Sequence, residues 1–171
     1  VLYAEAVRLN VPLFIHPGPA GIDGPAGDSA LKRFELDIIA GFAAQETLAV
    51  ATLIYGGVLD RHPGLDICLS HGGGGTALLV GRMAKGARKR PWSPAALRPE
   101  GAFEQRLKRL WFDTHVDHPQ IIPLLTAVVG GEHLVYGTNF AGWDEPDADK
   151  VHGADVIAPE LAVNARSLLR A

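Results

Sequence analysis

Disulfide bonds within the chain are excluded, because the sequence contains one cysteine, Cys68, among its 171 residues. Cys68 lies inside the apolar run 65–70, where a buried thiol that packs as a small apolar group is expected rather than a reactive one. A chain without disulfides is typical of a reducing compartment. We therefore expect a cytoplasmic protein.

Long apolar runs and an excess of charge are also missing. The longest apolar stretch, Leu48 to Leu59, is much shorter than the roughly 20 residues of a membrane-spanning helix, and the first residues lack the layout of a signal peptide. The formal net charge is only −3, and the one basic cluster, residues 82–90, has the pattern of a solvated helix end. We expect no binding to membranes or to nucleic acid.

Three motifs of common enzyme classes are absent as well. The four glycines Gly72–Gly75 follow His71, and His-Gly-Gly-Gly is similar to the oxyanion-hole segment of α/β-hydrolase esterases. That chemistry needs a nucleophilic serine in a Gly-x-Ser-x-Gly turn, which the sequence lacks. The glycine patterns that bind dinucleotides or phosphate are lacking too. The four glycines are therefore expected to allow a tight turn and a close backbone approach.

The sequence does contain a regular alternation of two periodicities. Apolar runs typical of buried strands occupy residues 12–15, 65–70, 110–114 and 133–137. Segments with helical spacing occupy residues 31–44, 46–60, 76–89, 119–129 and 157–169. This alternation predicts an α/β fold of repeated βα units with a parallel sheet. A chain of 171 residues that is 47% hydrophobic is long enough for one well-buried domain, residues 1–171.

The first residues also have helical spacing, with Leu2, Ala6 and Leu9 on one face and Asn10 at the end. No methionine precedes Val1, and we expect the chain to be the interior of a longer protein. Four βα units are too few to close a barrel of eight. We expect an open sheet with one exposed strand edge, which favours a homo-oligomer.

Two histidines, His16 and His71, each stand where an apolar run ends and a glycine- and proline-rich loop begins. The carboxyl ends of parallel strands meet at one edge of a sheet, so we expect both imidazoles to open into one cavity. One histidine at a strand end is more often a hydrogen-bonded structural residue, but two at equivalent places favour a metal site for zinc, manganese or iron. The last run is followed by Asn139, a neutral amide where a carboxylate would complete the site.

Three further residues are candidates with alternatives. His115 follows the third apolar run and is expected to line the same site and contact the substrate. Arg82 either meets a substrate carboxylate, if its helix points inward, or is an exposed helical arginine. Asp144 either supplies a carboxylate to the site or caps the helix that follows it.

Five short motifs occur in the order found in a known family. They are Phe14-Ile15-His16-Pro17, Leu69-Ser70-His71-Gly72-Gly73-Gly74, Trp111-Phe112-Asp113-Thr114, Tyr136-Gly137-Thr138-Asn139-Phe140 and Asn164-Ala165-Arg166-Ser167-Leu168-Leu169. With these motifs in this order, the chain resembles the amidohydrolase-related family, which includes aminocarboxymuconate-semialdehyde decarboxylase-like and aromatic-acid decarboxylases. The resemblance implies the C-terminal half of a distorted (β/α)8 barrel, with one divalent metal ion, zinc or else manganese, at its C-terminal mouth.

The resemblance also implies roles for individual residues. His16 and Asn139 match metal-ligand positions, and His71 and Asn139 match catalytic positions, with His71 close to a metal-bound water. The His-x-His pair of the family does not occur in this sequence. The function implied is that of a metal-dependent hydrolase or non-oxidative decarboxylase acting on a small carboxylated or cyclic substrate. The alternative is a half-barrel that binds a ligand or a partner without turnover.

Overall fold

Four short parallel strands form one sheet in the computed structural model, which describes residues 1–19, 29–116, 118, 120–139, 142–144 and 158–171. The strands are β1 (Leu13–Ile15), β2 (Ile67–Leu69), β3 (Trp111–Asp113) and β4 (Leu134–Val135). They lie side by side in the order β1-β2-β3-β4, and all three pairings are parallel. Each predicted strand run therefore contains one strand, and the predicted parallel sheet is confirmed.

Helices connect the strands and cover the sheet. The α-helices are α1 (Leu2–Leu9), α2 (Leu36–Ile39), α3 (Gly41–Tyr55), α4 (Val58–Arg61), α5 (Thr76–Lys89), α6 (Ala102–Leu107), α7 (Ile121–Val129) and α8 (Ala158–Leu169). Three 3-10 segments are Ser29–Glu35, His71–Gly73 and Ala95–Leu97. The predicted helix 76–89 is confirmed, as is the first helix, which ends at Asn10 in the left-handed conformation with φ 54°.

The predicted helix boundary near residue 45 is wrong. The chain instead breaks at Phe34 and Glu35, which have positive φ, and at Ala40, and α3 then runs unbroken through residue 45 to Tyr55. Gly57, with φ 66°, separates α3 from α4. The short helix α6 was not predicted, because its six residues give too little periodicity, although Ala102, Phe103 and Leu107 are buried.

One face of the sheet packs against α3, α5, α6 and α7. Its largest fully buried apolar side chains include Ile54, Leu69, Phe103 and Phe112. On the other face Cys68 packs with Trp111, Val135 and Leu168. Burial, with a smaller effect of the Asp113 charge, raises the pKa of the Cys68 thiol to about 12. The thiol is thus inert, which agrees with the packing role predicted for it.

The sheet is open at β1 and β4, since each has one neighbour among the strands that the structure describes. Phe14 in β1 is 60% exposed. No described helix is by itself both long and apolar enough to cross a membrane. The pair Ser29–Ile39 and Gly41–Tyr55, which is bent by 79°, passes that test of length and composition only when its two parts are taken together.

Candidate metal centre

His16 and His71 lie side by side at the carboxyl ends of neighbouring strands. His16 directly follows β1, His71 follows β2 after one residue, and Ile15 pairs with Leu69 in the sheet. The centroids of the two imidazole rings are 5.4 Å apart. The structure therefore brings together the two histidines that the sequence pattern singled out.

His115 and Asp144 extend this group across the sheet. The His115 ring, which follows β3, lies 5.1 Å from the His71 ring. His115 Nε2 lies 3.0 Å from Asp144 Oδ2. One possible ligand atom from each of His71, His115 and Asp144 falls within 4.8 Å of the other two. We call these three residues the His-His-Asp cluster. Two imidazoles and one carboxylate are ligands that suit a divalent transition metal, so the cluster fits such an ion.

Asn139 contacts the cluster through Asp144. Its side-chain Nδ2 donates a hydrogen bond to Asp144 Oδ1. Burial raises the pKa of Asp144, but the hydrogen bonds from His115 and Asn139 together outweigh burial and hold that pKa below its ordinary value. Of the two alternatives for Asp144, the structure thus shows the carboxylate in the site. The other alternative, that Asp144 caps the helix that follows it, depends on residues directly after Asp144 that lie outside the described part of the chain.

The structure also identifies a site residue that the sequence prediction missed. Glu46 on α3 is 1% exposed, and its Oε1 accepts a hydrogen bond from the Ser70 hydroxyl and lies 3.1 Å from His71 Nδ1. The hydrogen bond between Glu46 and His71 is the main reason why the pKa of His71 is raised above its ordinary value. A signal was present in the sequence, because Glu46 stands on the same helical face as the buried residues Val50 and Leu53.

Asp113 joins the loops that carry the two central histidines. Its Oδ1 accepts hydrogen bonds from the backbone N–H groups of Gly72 and His115, both at 3.1 Å. Burial raises the pKa of Asp113, and the two N–H donors and the positive charge of the nearby histidines oppose that rise. The carboxylate at the end of β3 therefore fixes the backbone beside both His71 and His115.

The glycines after His71 allow its loop to approach α3 and β3. A Cβ atom on Gly74, where φ is 64°, would lie 2.1 Å from the Ala43 carbonyl oxygen. A Cβ atom on Gly73 would lie 2.6 Å from the Phe112 ring. Both contacts are too close for any side chain. The expected role of these glycines in a tight turn with close backbone approach agrees with this geometry.

His16 forms the exposed side of the site. Its Nδ1 is 2.7 Å from the Pro17 carbonyl oxygen, which can only accept a hydrogen bond. The proton therefore resides on Nδ1, and Nε2 keeps a lone pair that can bind a metal. Phe42 packs against both His16 and His71, at 5.7 and 6.0 Å between ring centroids.

Arg82 is the one predicted site residue that the structure does not bring to the cluster. It is exposed on α5, and it has no contact with His71, His115 or Asp144 among the interactions of the described residues. A helix that buries Met83 and Ala84 turns the preceding residue outward. The structure thus agrees with the second alternative for Arg82, an exposed helical arginine.

Comparison with known proteins gives a consistent family match. The family model described as amidohydrolase matches residues 1–167. The chain is 31% identical over 133 residues to 2-amino-3-carboxymuconate-6-semialdehyde decarboxylase of Caenorhabditis elegans, covering 78% of this chain and 32% of the relative. It is 28% identical over 139 residues to the decarboxylase of the same name from Dictyostelium discoideum, covering 81% of this chain and 37% of the relative. The chain thus spans about a third of these relatives.

Solved structures match almost the whole chain. The 5-carboxyvanillate decarboxylase of Sphingomonas paucimobilis is similar with a TM-score of 0.80 at 20% identity, over 99% of this chain and 52% of that one. The 2,6-dihydroxybenzoate decarboxylase bound to 2,6-dihydroxybenzoate is similar with a TM-score of 0.74 at 19% identity, over 98% of this chain and 53% of that one. A 5-carboxyvanillate decarboxylase of Novosphingobium aromaticivorans, similar with a TM-score of 0.80 at 21% identity over 99% of this chain and 51% of that one, was crystallised with manganese and a nitrobenzoic acid. The predicted fold, parallel strands and helices that form about half of a (β/α)8 barrel, is confirmed.

Proposed function

This chain belongs to the amidohydrolase family, and from that premise we propose that it carries active-site residues of a non-oxidative decarboxylase. The substrate would be a small carboxylated molecule that is cyclic or unsaturated. The support comes from relatives named as decarboxylases of carboxymuconate semialdehyde, carboxyvanillate and dihydroxybenzoate. Hydrolysis, the other activity that the sequence motifs implied, has no such support among these relatives. We keep a cytoplasmic location as part of the proposal.

The observation that carries the proposal is the His-His-Asp cluster, whose ligand atoms lie within 4.8 Å of one another. Of this cluster we assign His115 and Asp144 as ligands of a divalent ion, together with the predicted ligands His16 and Asn139, and we assign the third member, His71, to proton transfer. His16 would use Nε2. Asn139 would use its amide oxygen, because the amide nitrogen of Asn139 is hydrogen-bonded to Asp144. Manganese in a related crystal supports manganese as the ion, and zinc, which the sequence motifs implied first, accepts the same imidazole and carboxylate ligands. When bound, such an ion stabilises negative charge that develops on the substrate.

His71 is the residue that we assign to proton transfer. The hydrogen bond to Glu46 raises the pKa of His71, which favours a proton over a metal ion on its free Nε2. In decarboxylation the bond between the substrate carbon and its carboxylate breaks, CO2 leaves, and the electron pair stays on the carbon. A proton from His71 Nε2 would then bond to that carbon. Asn139 was also predicted to be catalytic, but its amide cannot act as a base, and we assign Asp144 as the carboxylate of the site.

Metal content and CO2 release from single variants test these assignments. We expect His115→Ala and Asp144→Asn to lose both bound manganese and turnover. His71→Asn is expected to retain the metal and to lose turnover. The substrates offered are 5-carboxyvanillate, 2,6-dihydroxybenzoate and 2-amino-3-carboxymuconate-6-semialdehyde. Loss of metal in His71→Asn would reassign His71 as a ligand.

The same assay tests the class of activity. Binding of these acids without CO2 release by the metal-loaded protein would favour the alternative of a half-barrel that binds a ligand without turnover. Hydrolysis of a lactone or cyclic amide offered beside these acids, with no CO2 release from any of the acids, would favour a hydrolase. Either result would overturn the decarboxylase proposal.

A further inference from the structure

Glu46 is a carboxylate in a place where a charge is costly. Its side chain is 1% exposed, within a helix whose neighbouring buried residues are apolar. Its second oxygen, Oε2, is buried and has no hydrogen-bond partner among the described residues. A buried carboxylate that is only partly satisfied lowers stability relative to an apolar residue of similar size. Packing alone therefore does not explain why a carboxylate stands at this position.

The hydrogen bonds of the Glu46 side chain are to His71 and to Ser70, the residue before it. Oε1 accepts the Ser70 hydroxyl proton and faces His71 Nδ1 at 3.1 Å. Oε1 accepts hydrogen bonds, so the ring nitrogen that faces it is the donor, and the His71 ring carries its proton on Nδ1. Nε2 is then the ring atom without a proton in the neutral form. Ser70, the residue before His71, holds the same carboxylate oxygen in place.

We infer that Glu46 is a positioning residue that fixes His71 in the tautomer protonated on Nδ1, so that Nε2 is the atom that exchanges a proton with the substrate. A buried carboxylate that orients an imidazole by the same contact is a known arrangement in hydrolases, where it sets both the tautomer and the ring orientation. The part of this inference that concerns catalysis rests on the proposed role of His71. The part that concerns the tautomer rests only on the contact between Glu46 and His71.

The test uses Glu46→Leu, which removes the acceptor and keeps a side chain of similar size. Long-range 15N–1H NMR spectra of the metal-free full chain report which ring nitrogen of His71 carries the proton at a pH where the ring is neutral. We expect the Nδ1–H form in the wild-type chain and a shift of the population toward the Nε2–H form in the variant. In the decarboxylase assay, kcat is expected to fall at least about 10-fold with KM changed by less than about 2-fold, because the wrong tautomer impairs proton transfer and not binding.

Glu104→Leu is the matched control. Glu104 lies on α6, and its Oε2 is also buried without a partner in the part of the chain that the structure describes. It has no contact with His71, so the tautomer and kcat should stay as in the wild type. An Nε2–H tautomer in the wild-type chain, or an unchanged Nδ1–H tautomer in Glu46→Leu, would overturn the inference. An Nε2–H tautomer in the wild-type spectrum overturns the inference even if the variant does not fold.

The two proposals fail in different ways. If the wild-type chain shows the Nδ1–H tautomer and Glu46→Leu shifts it, but no substrate is decarboxylated, then Glu46 positions His71 and the proposed activity is wrong. If decarboxylation occurs and the tautomer does not depend on Glu46, the activity stands and the positioning role of Glu46 is wrong.

Discussion

The Asp113 carboxylate accepts a hydrogen bond from the backbone N–H of Gly72 at 3.1 Å. The same oxygen accepts the backbone N–H of His115, also at 3.1 Å. One side chain at the end of β3 thus connects the loop that carries His71 to the loop that carries His115. The distance between these two histidines therefore depends on a residue that makes no hydrogen bond to either ring among the described contacts.

Replacement of Asp113 by alanine is expected to destabilise the protein and to let His71 and His115 move apart. Two buried N–H groups would lose their acceptor, and an unsatisfied buried group costs about 1–3 kcal/mol. We expect the free energy of unfolding to fall by about 2–4 kcal/mol in urea titrations, and manganese affinity to fall with it. Glu5→Ala is the control, since Glu5 forms an ion pair with Arg8 on the exposed side of α1, and loss of such a pair changes stability by less than about 1 kcal/mol.

Gly74 is expected to tolerate no side chain. Alanine at this position would place Cβ 2.1 Å from the Ala43 carbonyl oxygen with φ at 64°, so the loop must move away from α3. We expect Gly74→Ala to lower the free energy of unfolding by about 2–4 kcal/mol, in the range of overpacking combined with backbone strain. Metal binding should weaken as well, because His71 belongs to the same loop.

Gly81 supplies a control with the opposite sign. It lies within α5, and a Cβ atom there would meet nothing within 4 Å. Gly81→Ala should therefore stabilise the chain by about 0.5–1 kcal/mol, since glycine is a poor helix former. Equal effects of the two substitutions would mean that the loop is free to shift away from Ala43.

The sequence pattern predicted the elements that depend on local periodicity. The strand runs that end at His16 and His71 carried two signals at once, an apolar stretch and a following loop, and both histidines lie where parallel pairing of β1 and β2 requires. The helix boundary near residue 45 could not be predicted, because the chain breaks earlier, at Phe34 and Glu35, whose positive φ no local preference favours, and again at Ala40.

The site was predictable only in part. Its strand-end histidines follow from topology, whereas Glu46 comes from a helix and reaches His71 across 25 residues of sequence. Asp144 was open between two roles, because only the folded chain shows its oxygen 3.0 Å from His115 Nε2. Long-range side-chain contacts of this kind are set by packing, which periodicity does not encode.

The stability of the metal-free protein should depend on the protonation of His71. The hydrogen bond to Glu46, opposed by burial, raises the pKa of His71 above its ordinary 6.5. A histidine with a raised pKa in the folded state contributes stability that is fully present below pH 6.5 and is lost as the pH rises through the raised pKa. The difference in unfolding free energy between wild type and His71→Asn should therefore shrink with rising pH across that window.

Urea titrations at several pH values measure this difference, and an NMR titration of the His71 ring protons gives its pKa directly. His62→Asn is the control, since His62 ends α4 away from the cluster. A His71 pKa at or below 6.5 in the metal-free protein would contradict the contact with Glu46 as the dominant influence.

Asn139→Asp tests how the site obtains its negative charge. A carboxylate at position 139 would add a second anionic ligand beside Asp144, and we expect manganese or zinc to bind on the order of 10-fold more tightly, which is about 1.4 kcal/mol. In the metal-free state the same change removes the hydrogen bond to Asp144 and places two carboxylates together, so the pKa of one of them should rise and stability should fall. Turnover should increase if the carboxylate at position 139 also serves as the base of the reaction.

Metal affinity from competition titrations and CO2 release, measured on the wild type and on Asn139→Asp, check these outcomes. Asn139→Ala is the control variant, which removes the hydrogen-bond donor without adding charge. Equal metal affinity and equal rates would mean that residue 139 does not face the ion and that Asp144 alone provides the carboxylate.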